Sequence, residues 1–383
     1  MGKQHATYLH YVGYGRPFPT KWVKKVKALG AIPCLAWEPN SGLDQVKADS
    51  YLKNFALEAG ALDTPLFLRF ASEMNGPWTA YSGDPALYKR KFRLVSQAMR
   101  RFAPKVALVW TVSATPFDCQ RLYYPGDEYV DWVGIDIYAV SPELGSAKES
   151  ASAPDPRYYL DKFYRIWAKR KPIQVSEFAA AYRDSGSDKS AEAFACEAIR
   201  KLYNSLPMRY PRVKAIYYFS MNTIAHNRNT KNYSLLESAQ VLDTYRSVIA
   251  SEYFLSRYGQ VAPVNFRRVK EVPFGASNDS VSLSGCKPPE GPWLKGVREG
   301  AVLVGRNRLT AELGEPELPR YVIFYVDGQA ALVTNRKPYT FSLDAANYSE
   351  GSHTLQFEAV FESRSVKSPE YTIFLYRSAS DAD

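Results

Sequence analysis

The chain has 383 residues, of which 46% are hydrophobic, so it is longer than one ordinary domain and predicts two. Its net charge of +10 comes from residues 1–258, where 35 basic side chains outnumber 24 acidic ones, whereas residues 259–383 carry 14 and 15. The basic residues stand singly or in short helical groups without a recognised motif, which argues against nucleic acid as a partner and leaves attraction to acidic polymers open.

Up to about residue 250, short apolar runs alternate with stretches that have apolar residues at the three- and four-residue spacing of helices. The runs that we predict as strands are residues 7–14, 31–37, 65–71, 106–112, 130–138, 172–178 and 213–220. Strands that alternate with helices indicate a parallel sheet, and apolar residues on both faces indicate that helices cover it. A (β/α)8 barrel of roughly 250 residues fits this pattern best.

The number of predicted strands falls one short of the eight that a barrel needs. Only two candidates precede residues 65–71, where three are expected, so the missing strand belongs to the N-terminal side of the barrel. Either the first strand is absent from this chain, or another segment, such as "VNFRRVKEV" (264–272), completes the ring. An open doubly wound sheet is the structural alternative.

After residue 258 the sequence changes to Pro, Gly and Ser punctuation, which predicts a linker at 259–285. Beyond it, alternating strands and turn signals predict an all-β sandwich at 286–383, with a hairpin turn at Asp327 and Gly328. This segment resembles bacterial Ig-like modules over about residues 290–377. Its one tryptophan, Trp293, precedes the regular strands, so we expect a spacer or a packing partner for the barrel, with glycan binding as the alternative.

The sequence indicates neither a metal nor a cofactor. Its four cysteines are far apart and form no CxxC pair, and Cys34 and Cys196 lie in apolar or helical runs that predict buried free thiols. No stretch approaches 18 apolar residues, and the N-terminus lacks the apolar core of a signal peptide. We therefore expect a monomer without a cofactor, a disulfide framework or a membrane span.

Two glutamates stand where predicted barrel strands end. Glu73 follows "LFLRFA", and Glu177 is the acidic residue of "PIQVSEF". The working face of a parallel barrel lies at the carboxyl ends of its strands, so both are site candidates. Each alone could simply cap a helix, whereas two across one mouth match the paired carboxyl groups that cleave glycosidic bonds. Arg69 would face the same mouth and keep one carboxylate ionised, and a purely structural ion pair is equally consistent.

Three segments, "LFLRFASEMNGPW", "YYPGDEYVDWVGIDIY" and "KPIQVSEFAA", together resemble glycoside hydrolase family 26 over roughly residues 30–222. The family includes endo-β-1,4-mannanases, with lichenases and β-1,3-xylanases as minor branches. The resemblance implies that Glu73 is the general acid/base, Glu177 the nucleophile and Tyr138 the residue that hydrogen-bonds the nucleophile. It also implies a set of substrate-binding residues: Trp37, Glu38, Arg69, Ser72, Asn75, Trp78, Trp110, Asp136, Phe178 and Asn222.

The sequence departs from the family at two places that bear on the substrate. Ser72 replaces the histidine that usually precedes the acid/base, and Phe219, Ser220 and Asn222 replace a Trp-Arg pair of the mannanases, with His226 as a potential substitute. We predict retaining, endo-acting hydrolysis of β-1,4-mannan. The alternatives are another β-glycan (mixed-linkage glucan or β-1,3-xylan), an acidic exopolysaccharide, or glycan binding without catalysis. A polysaccharide partner implies a secreted or cell-surface location.

Overall fold

The structure, a computed structural model, describes residues 1–141, 143–144, 155–185, 189–225, 231–259, 291–297, 301–314 and 317–376. In the first part of the chain, nearly all strands are parallel members of one sheet. The strands are β1 (Thr7–Gly13), β2 (Ile32–Glu38), β3 (Leu66–Phe70), β4 (Val106–Ser113), β5 (Trp132–Ala139), β6 (Ile173–Ala180), β7 (Arg183–Asp184), β8 (Val213–Tyr218) and β9 (Lys231–Asn232). The short strands β7 and β9 form a separate antiparallel pair.

In the described part of the chain, six α-helices accompany the strands of the barrel. They are α1 (Thr20–Ala28), α2 (Ser50–Ala61), α3 (Pro85–Phe102), α4 (Arg157–Trp167), α5 (Glu192–Arg209) and α6 (Ala239–Ile249). Aspartates begin two of them, because the Asp49 carboxylate accepts from the Leu52 N–H of α2 and the Asp84 carboxylate from the Leu87 N–H of α3. Among the described residues, no helix is long and apolar enough to span a bilayer.

The parallel sheet curls into a barrel. Its seven strands pair in the order β1, β2, β3, β4, β5, β6 and β8, without the reversal of order that a doubly wound sheet needs. The two outermost strands approach each other, since the Thr7 hydroxyl lies 2.6 Å from the Tyr217 hydroxyl. The predicted (β/α)8 barrel is therefore confirmed, with seven of its strands among the described residues. Residues 264–272, the candidate for the eighth strand, lie outside them.

Side chains of the barrel strands alternate between two environments. One set fills the layer between sheet and helices, where it forms the large apolar core. The other set points into the barrel, where Cys34, Phe67, Val109 and Tyr217 form a smaller apolar cluster. Burial raises the pKa of the Cys34 thiol to about 12. Cys34 and Cys196 are buried free thiols as predicted, and Cys286 lies outside the described residues.

The C-terminal part is a β-sandwich, as predicted. Its strands are β10 (Trp293–Lys295), β11 (Ala301–Val304), β12 (Arg306–Glu312), β13 (Tyr321–Val326), β14 (Gln329–Thr334), β15 (Thr340–Asp344), β16 (Gly351–Val360), β17 (Ser365–Lys367) and β18 (Tyr371–Tyr376). One sheet contains β10, β12 and β15, and the other contains the remaining strands. Between β13 and β14, Asp327 and Gly328 have φ angles of 52° and 72°, which is the backbone of the predicted hairpin turn.

The predicted linker, residues 259–285, lies outside the described residues except for Gly259. The predicted domain limits of 1–258 and 286–383 thus remain predictions. The described strands fit them, since the last barrel helix ends at Ile249 and the first sandwich strand begins at Trp293.

Candidate active site

The chain leaves strand β3 in a left-handed turn that places Glu73 at the mouth of the barrel. Ala71 and Glu73 have φ angles of 50° and 59°, a region that residues other than glycine rarely adopt. Two backbone hydrogen bonds tie this turn to the neighbouring strands: the Ala71 N–H donates to the Trp37 carbonyl at 3.1 Å, and the Glu73 N–H to the Thr111 carbonyl at 3.1 Å. Strained backbone held in this way is typical of functional sites.

Trp78 contacts the Glu73 carboxyl group. Its indole N–H donates to Glu73 Oε2 at 2.8 Å. The ring lies against the backbone of Gly76, where an added Cβ would stand only 2.3 Å from ring atoms, so glycine is needed at this position. Trp78, predicted as a substrate contact, is half-buried at the mouth of the barrel, next to the Glu73 carboxyl group.

A β-bulge turns Glu177 into the barrel. The pairing of β5 with β6 shifts between Ile135 and Asp136, so that Asp136 pairs with Glu177 and two consecutive residues, Ser176 and Glu177, face inward. The bulge also brings the Ser176 hydroxyl close to Gly134, where an added Cβ would lie 2.2 Å from it. Glycine at 134 and the bulge at 176–177 therefore fit one another.

Three side chains hold the Glu177 carboxylate. Tyr11 donates its hydroxyl to Oε1 at 2.6 Å, and the guanidinium Nη2 of Arg69 lies 3.0 Å from the same oxygen. Tyr138 donates its hydroxyl to Oε2, which is the contact that the sequence predicted for it. A carboxylate with a partner on each oxygen is fixed in orientation, and the positive charge of Arg69 compensates its negative charge.

Arg69 and Asp136 form a buried ion pair beneath the glutamates. The Arg69 Nη2 lies 2.8 Å from Asp136 Oδ2, and both side chains are 1% exposed. The second guanidinium nitrogen donates to the Ser176 carbonyl at 3.1 Å. Burial raises the pKa of Asp136 well above its usual range against the opposing effect of Arg69, and the nearby carboxylate of Glu177 raises it further. Both residues thus orient Glu177 from below and lie out of reach of a polymer.

Glu38, Ser72 and Asn75 brace the loop that carries Glu73. The Glu38 carboxylate accepts from the Ser72 backbone N–H at 3.0 Å and from the Tyr81 hydroxyl at 2.7 Å, and burial raises its pKa. The Asn75 side chain bridges to the other side, since its amide donates to the Ser113 carbonyl at 2.9 Å. These hydrogen bonds support the loop, and the contacts of the three residues with substrate stay predictions.

Three predicted substrate contacts are wrong, because Trp37, Trp110 and Phe178 are completely buried between the sheet and the helices. Trp37 stacks on the Phe55 ring at 3.9 Å between centroids. Trp37 and Trp110 face the helices because they have the opposite parity to the inward-facing residues of their strands, and Phe178 does so because it follows the inward-facing Glu177 by one residue. Their apolar surroundings leave no face for a sugar.

The Asn222 side chain is hydrogen-bonded to neighbouring residues. Its amide donates to Glu237 Oε2 at 2.7 Å, and its carbonyl accepts from the Ala225 N–H at 3.1 Å. The contact of Asn222 with substrate stays a prediction. His226 lies outside the described residues.

Sequence reasoning missed two tyrosines of the site. Tyr11 lies on β1, and its parity with Thr7, whose side chain points into the barrel, could have placed it beside the carboxylates. Tyr81 follows Glu73 by eight residues. Its hydroxyl donates to Glu38 and lies 2.7 Å from the carbonyl of Ser72, the residue before Glu73. No local pattern marks Tyr81, because Glu38 comes from strand β2 and the Ser72 carbonyl from the turn after β3.

Comparison with known proteins agrees with this architecture. Residues 38–151 match the model of glycosyl hydrolase family 26. Endoglucanase H of Acetivibrio thermocellus is 27% identical over 58% of this chain and 25% of its own length. Mannan endo-1,4-beta-mannosidase A and B of Caldalkalibacillus mannanilyticus is 25% identical over 58% of this chain and 38% of its own length. Beta-1,3-xylanase TXYA of a Vibrio species is 36% identical over 21% of this chain and 18% of its own length.

The chain thus spans a quarter of Endoglucanase H and less than two fifths of the mannosidase. The family match begins at Glu38, covers the loop of Glu73 and extends past Tyr138. Over residues 38–151, the barrel therefore matches glycosyl hydrolase family 26.

Proposed function

We propose that this chain is a retaining, endo-acting glycoside hydrolase that cleaves β-1,4-mannosidic bonds, with Glu73 as general acid/base and Glu177 as nucleophile. The observation that carries the proposal is that two glutamates at strand ends share one barrel mouth in different surroundings. Arg69, four residues before Glu73 in the chain, contacts Glu177 directly. Glu177 has a cation and two phenol donors beside it, whereas Glu73 has an indole donor.

In the first step, a carboxylate oxygen of Glu177 attacks the anomeric carbon while the carboxyl group of Glu73 gives its proton to the departing glycosidic oxygen. The products are a covalent glycosyl ester on Glu177 and a shortened chain. In the second step, Glu73 takes a proton from water, and the water oxygen displaces Glu177 from the anomeric carbon. Retaining enzymes need the two carboxyl groups about 5 to 5.5 Å apart, and we expect that separation here.

The relatives support β-mannan as the first substrate and one specific alternative. One curated relative is a mannan endo-1,4-beta-mannosidase, and its match covers 58% of this chain. The β-1,3-xylanase is more similar, at 36% identity, but only over 85 residues. Ser72 in place of the family's usual histidine and the basic barrel leave another β-glycan or an acidic exopolysaccharide as the second candidate. Because such polymers are extracellular, we propose a secreted or cell-surface monomer.

A hydrolysis panel tests the proposal. Wild type and Glu177→Gln are incubated with soluble β-1,4-mannan, mixed-linkage glucan, β-1,3-xylan and an acidic exopolysaccharide, and new reducing ends are measured. We expect the fastest release from mannan and loss of nearly all turnover in the variant, since the covalent step cannot form. Faster release from another polymer would change the substrate and keep the mechanism. A variant as active as wild type, or an inverted anomer as the first product by NMR, would end the proposed mechanism.

A further inference from the structure

The outer face of the small sandwich sheet is covered, although it points away from the sandwich core. In the β10–β12 pair, Leu294 and Ala311 face the core, so Trp293, Lys295 and their partners in the register face the other way. Trp293 on this outer face is nevertheless only 7% exposed. An outward tryptophan at that exposure indicates that another part of the chain packs on the sheet.

Two loops of the barrel mouth meet this face. Arg308 of β12 reaches Asp44, with Nη1 at 3.4 Å from Oδ2. Lys295 of β10 stands over Gly83, where an added Cβ would lie 3.3 Å from the ammonium nitrogen. Burial lowers the pKa of Lys295, while Glu312 and Asp84 oppose that shift. The contact is thus complementary in charge, with basic side chains from the sandwich against acidic ones from the barrel.

The same two loops hold the predicted acid/base. Gly42, two residues before Asp44, lies near the Ala80 carbonyl, 3.7 Å from where its Cβ would be. One residue further on, the Tyr81 hydroxyl binds both Glu38 and the carbonyl of Ser72, the residue that precedes Glu73. A contact at Asp44 or Gly83 is therefore connected through a few hydrogen bonds to the turn that orients Glu73.

We propose that the sandwich docks on the loops 39–46 and 71–84 and that Lys295 and Arg308 are positioning residues for Glu73. The C-terminal module then belongs to the catalytic unit instead of being a spacer. Its docking fixes the far end of the loop whose near end carries Glu73 and Trp78. This inference rests on the proposed role of Glu73 as acid/base.

The test uses charge reversal in the full chain. Asp44→Arg and Arg308→Asp are made singly and together, and Arg306→Asp is the matched control because Arg306 pairs with Asp344 inside the sandwich at 3.3 Å. Each variant is assayed on soluble β-1,4-mannan and on a dinitrophenyl β-mannoside. The aryl substrate needs no proton on its leaving group, so it reports catalysis without the acid step.

We expect each single reversal at positions 44 and 308 to lower kcat on mannan about threefold or more and to leave the aryl substrate within about twofold. The double variant should regain the mannan rate, and the control should match wild type. Equal losses on both substrates, or no loss on either, would overturn the positioning role. So would a double variant no better than the singles.

Thermal unfolding separates failure of this inference from failure of the proposed function. Each single reversal should lower the unfolding midpoint, and the double variant should recover it, whatever the enzyme hydrolyses. Additive losses in the double variant would overturn the docking. If the wild type hydrolyses no glycan but the double variant recovers the unfolding midpoint, the docking is retained and the role of Glu73 is rejected.

Discussion

Tyr11→Phe tests the geometry of the proposed nucleophile most directly. The Tyr11 hydroxyl lies 2.6 Å from Glu177 Oε1, and its removal leaves the aromatic ring in place together with Arg69 at 3.0 Å from the same oxygen. A hydrogen bond to a charged group contributes about 1.5 to 3 kcal/mol. Because each 1.36 kcal/mol is a factor of ten in rate, kcat/KM should fall about 10- to 100-fold. Arg69 still holds Oε1, so we expect a value in the lower half of that range.

The assay compares Tyr11→Phe with Tyr8→Phe on soluble β-1,4-mannan. Tyr8 lies on the same strand with the opposite parity, and its hydroxyl accepts from the His5 N–H at 3.3 Å, so the control removes a hydroxyl remote from Glu177. Thermal unfolding of both variants checks that the barrel is intact. If Tyr11→Phe keeps more than a third of the wild-type kcat/KM, or if both variants lose the same amount, the inferred support of Glu177 by Tyr11 is wrong.

Three further predictions concern the neighbours of Glu177. Glu73→Ala should lose turnover on mannan but retain it on a dinitrophenyl mannoside with added azide, and equal losses on both substrates would contradict the acid role. Gly134→Ala should lower the free energy of unfolding by about 1 to 3 kcal/mol in chemical denaturation, because its Cβ would displace the Ser176 hydroxyl. Asp136→Asn should gain stability relative to wild type as the pH rises above about 4, because a raised pKa means that wild type loses stability there. A difference independent of pH would refute that.

The sequence predicted the barrel well because its strands are apolar on both faces. The strand predicted at 65–71 corresponds to strand Leu66–Phe70 in the structure, and the strand predicted at 213–220 corresponds to Val213–Tyr218. A fully buried parallel strand needs such a run, and few other elements show one. The site near Glu73 and Glu177 followed from the rule that function lies at strand ends.

The sequence predicted the direction of the side chains less well than it predicted the strands. Trp37 precedes Glu38 by one residue, so the two necessarily face opposite sides of β2, and only the carboxylate faces the barrel. Parity alone would have assigned that pair. It would have failed at Ser176 and Glu177, since the bulge turns both inward and depends on space left by Gly134 on a neighbouring strand. The docking of the sandwich could not be predicted from the sequence either, because it joins residues more than 200 positions apart, such as Asp44 and Arg308.

The balance of charge in the site explains why Asp136 is there, although it lies too deep to touch a sugar. Arg69 is within ion-pair distance of Asp136 and Glu177, so one positive charge serves two carboxyl groups. Burial raises the pKa of Asp136 while Arg69 opposes that shift, and wherever Asp136 is protonated the charge of Arg69 is left to compensate Glu177. As the pH rises and Asp136 ionises, that charge is divided between two carboxylates. Asp136→Asn should therefore extend kcat/KM on mannan to higher pH, and an alkaline limb identical to that of wild type would show that Asp136 does not set it.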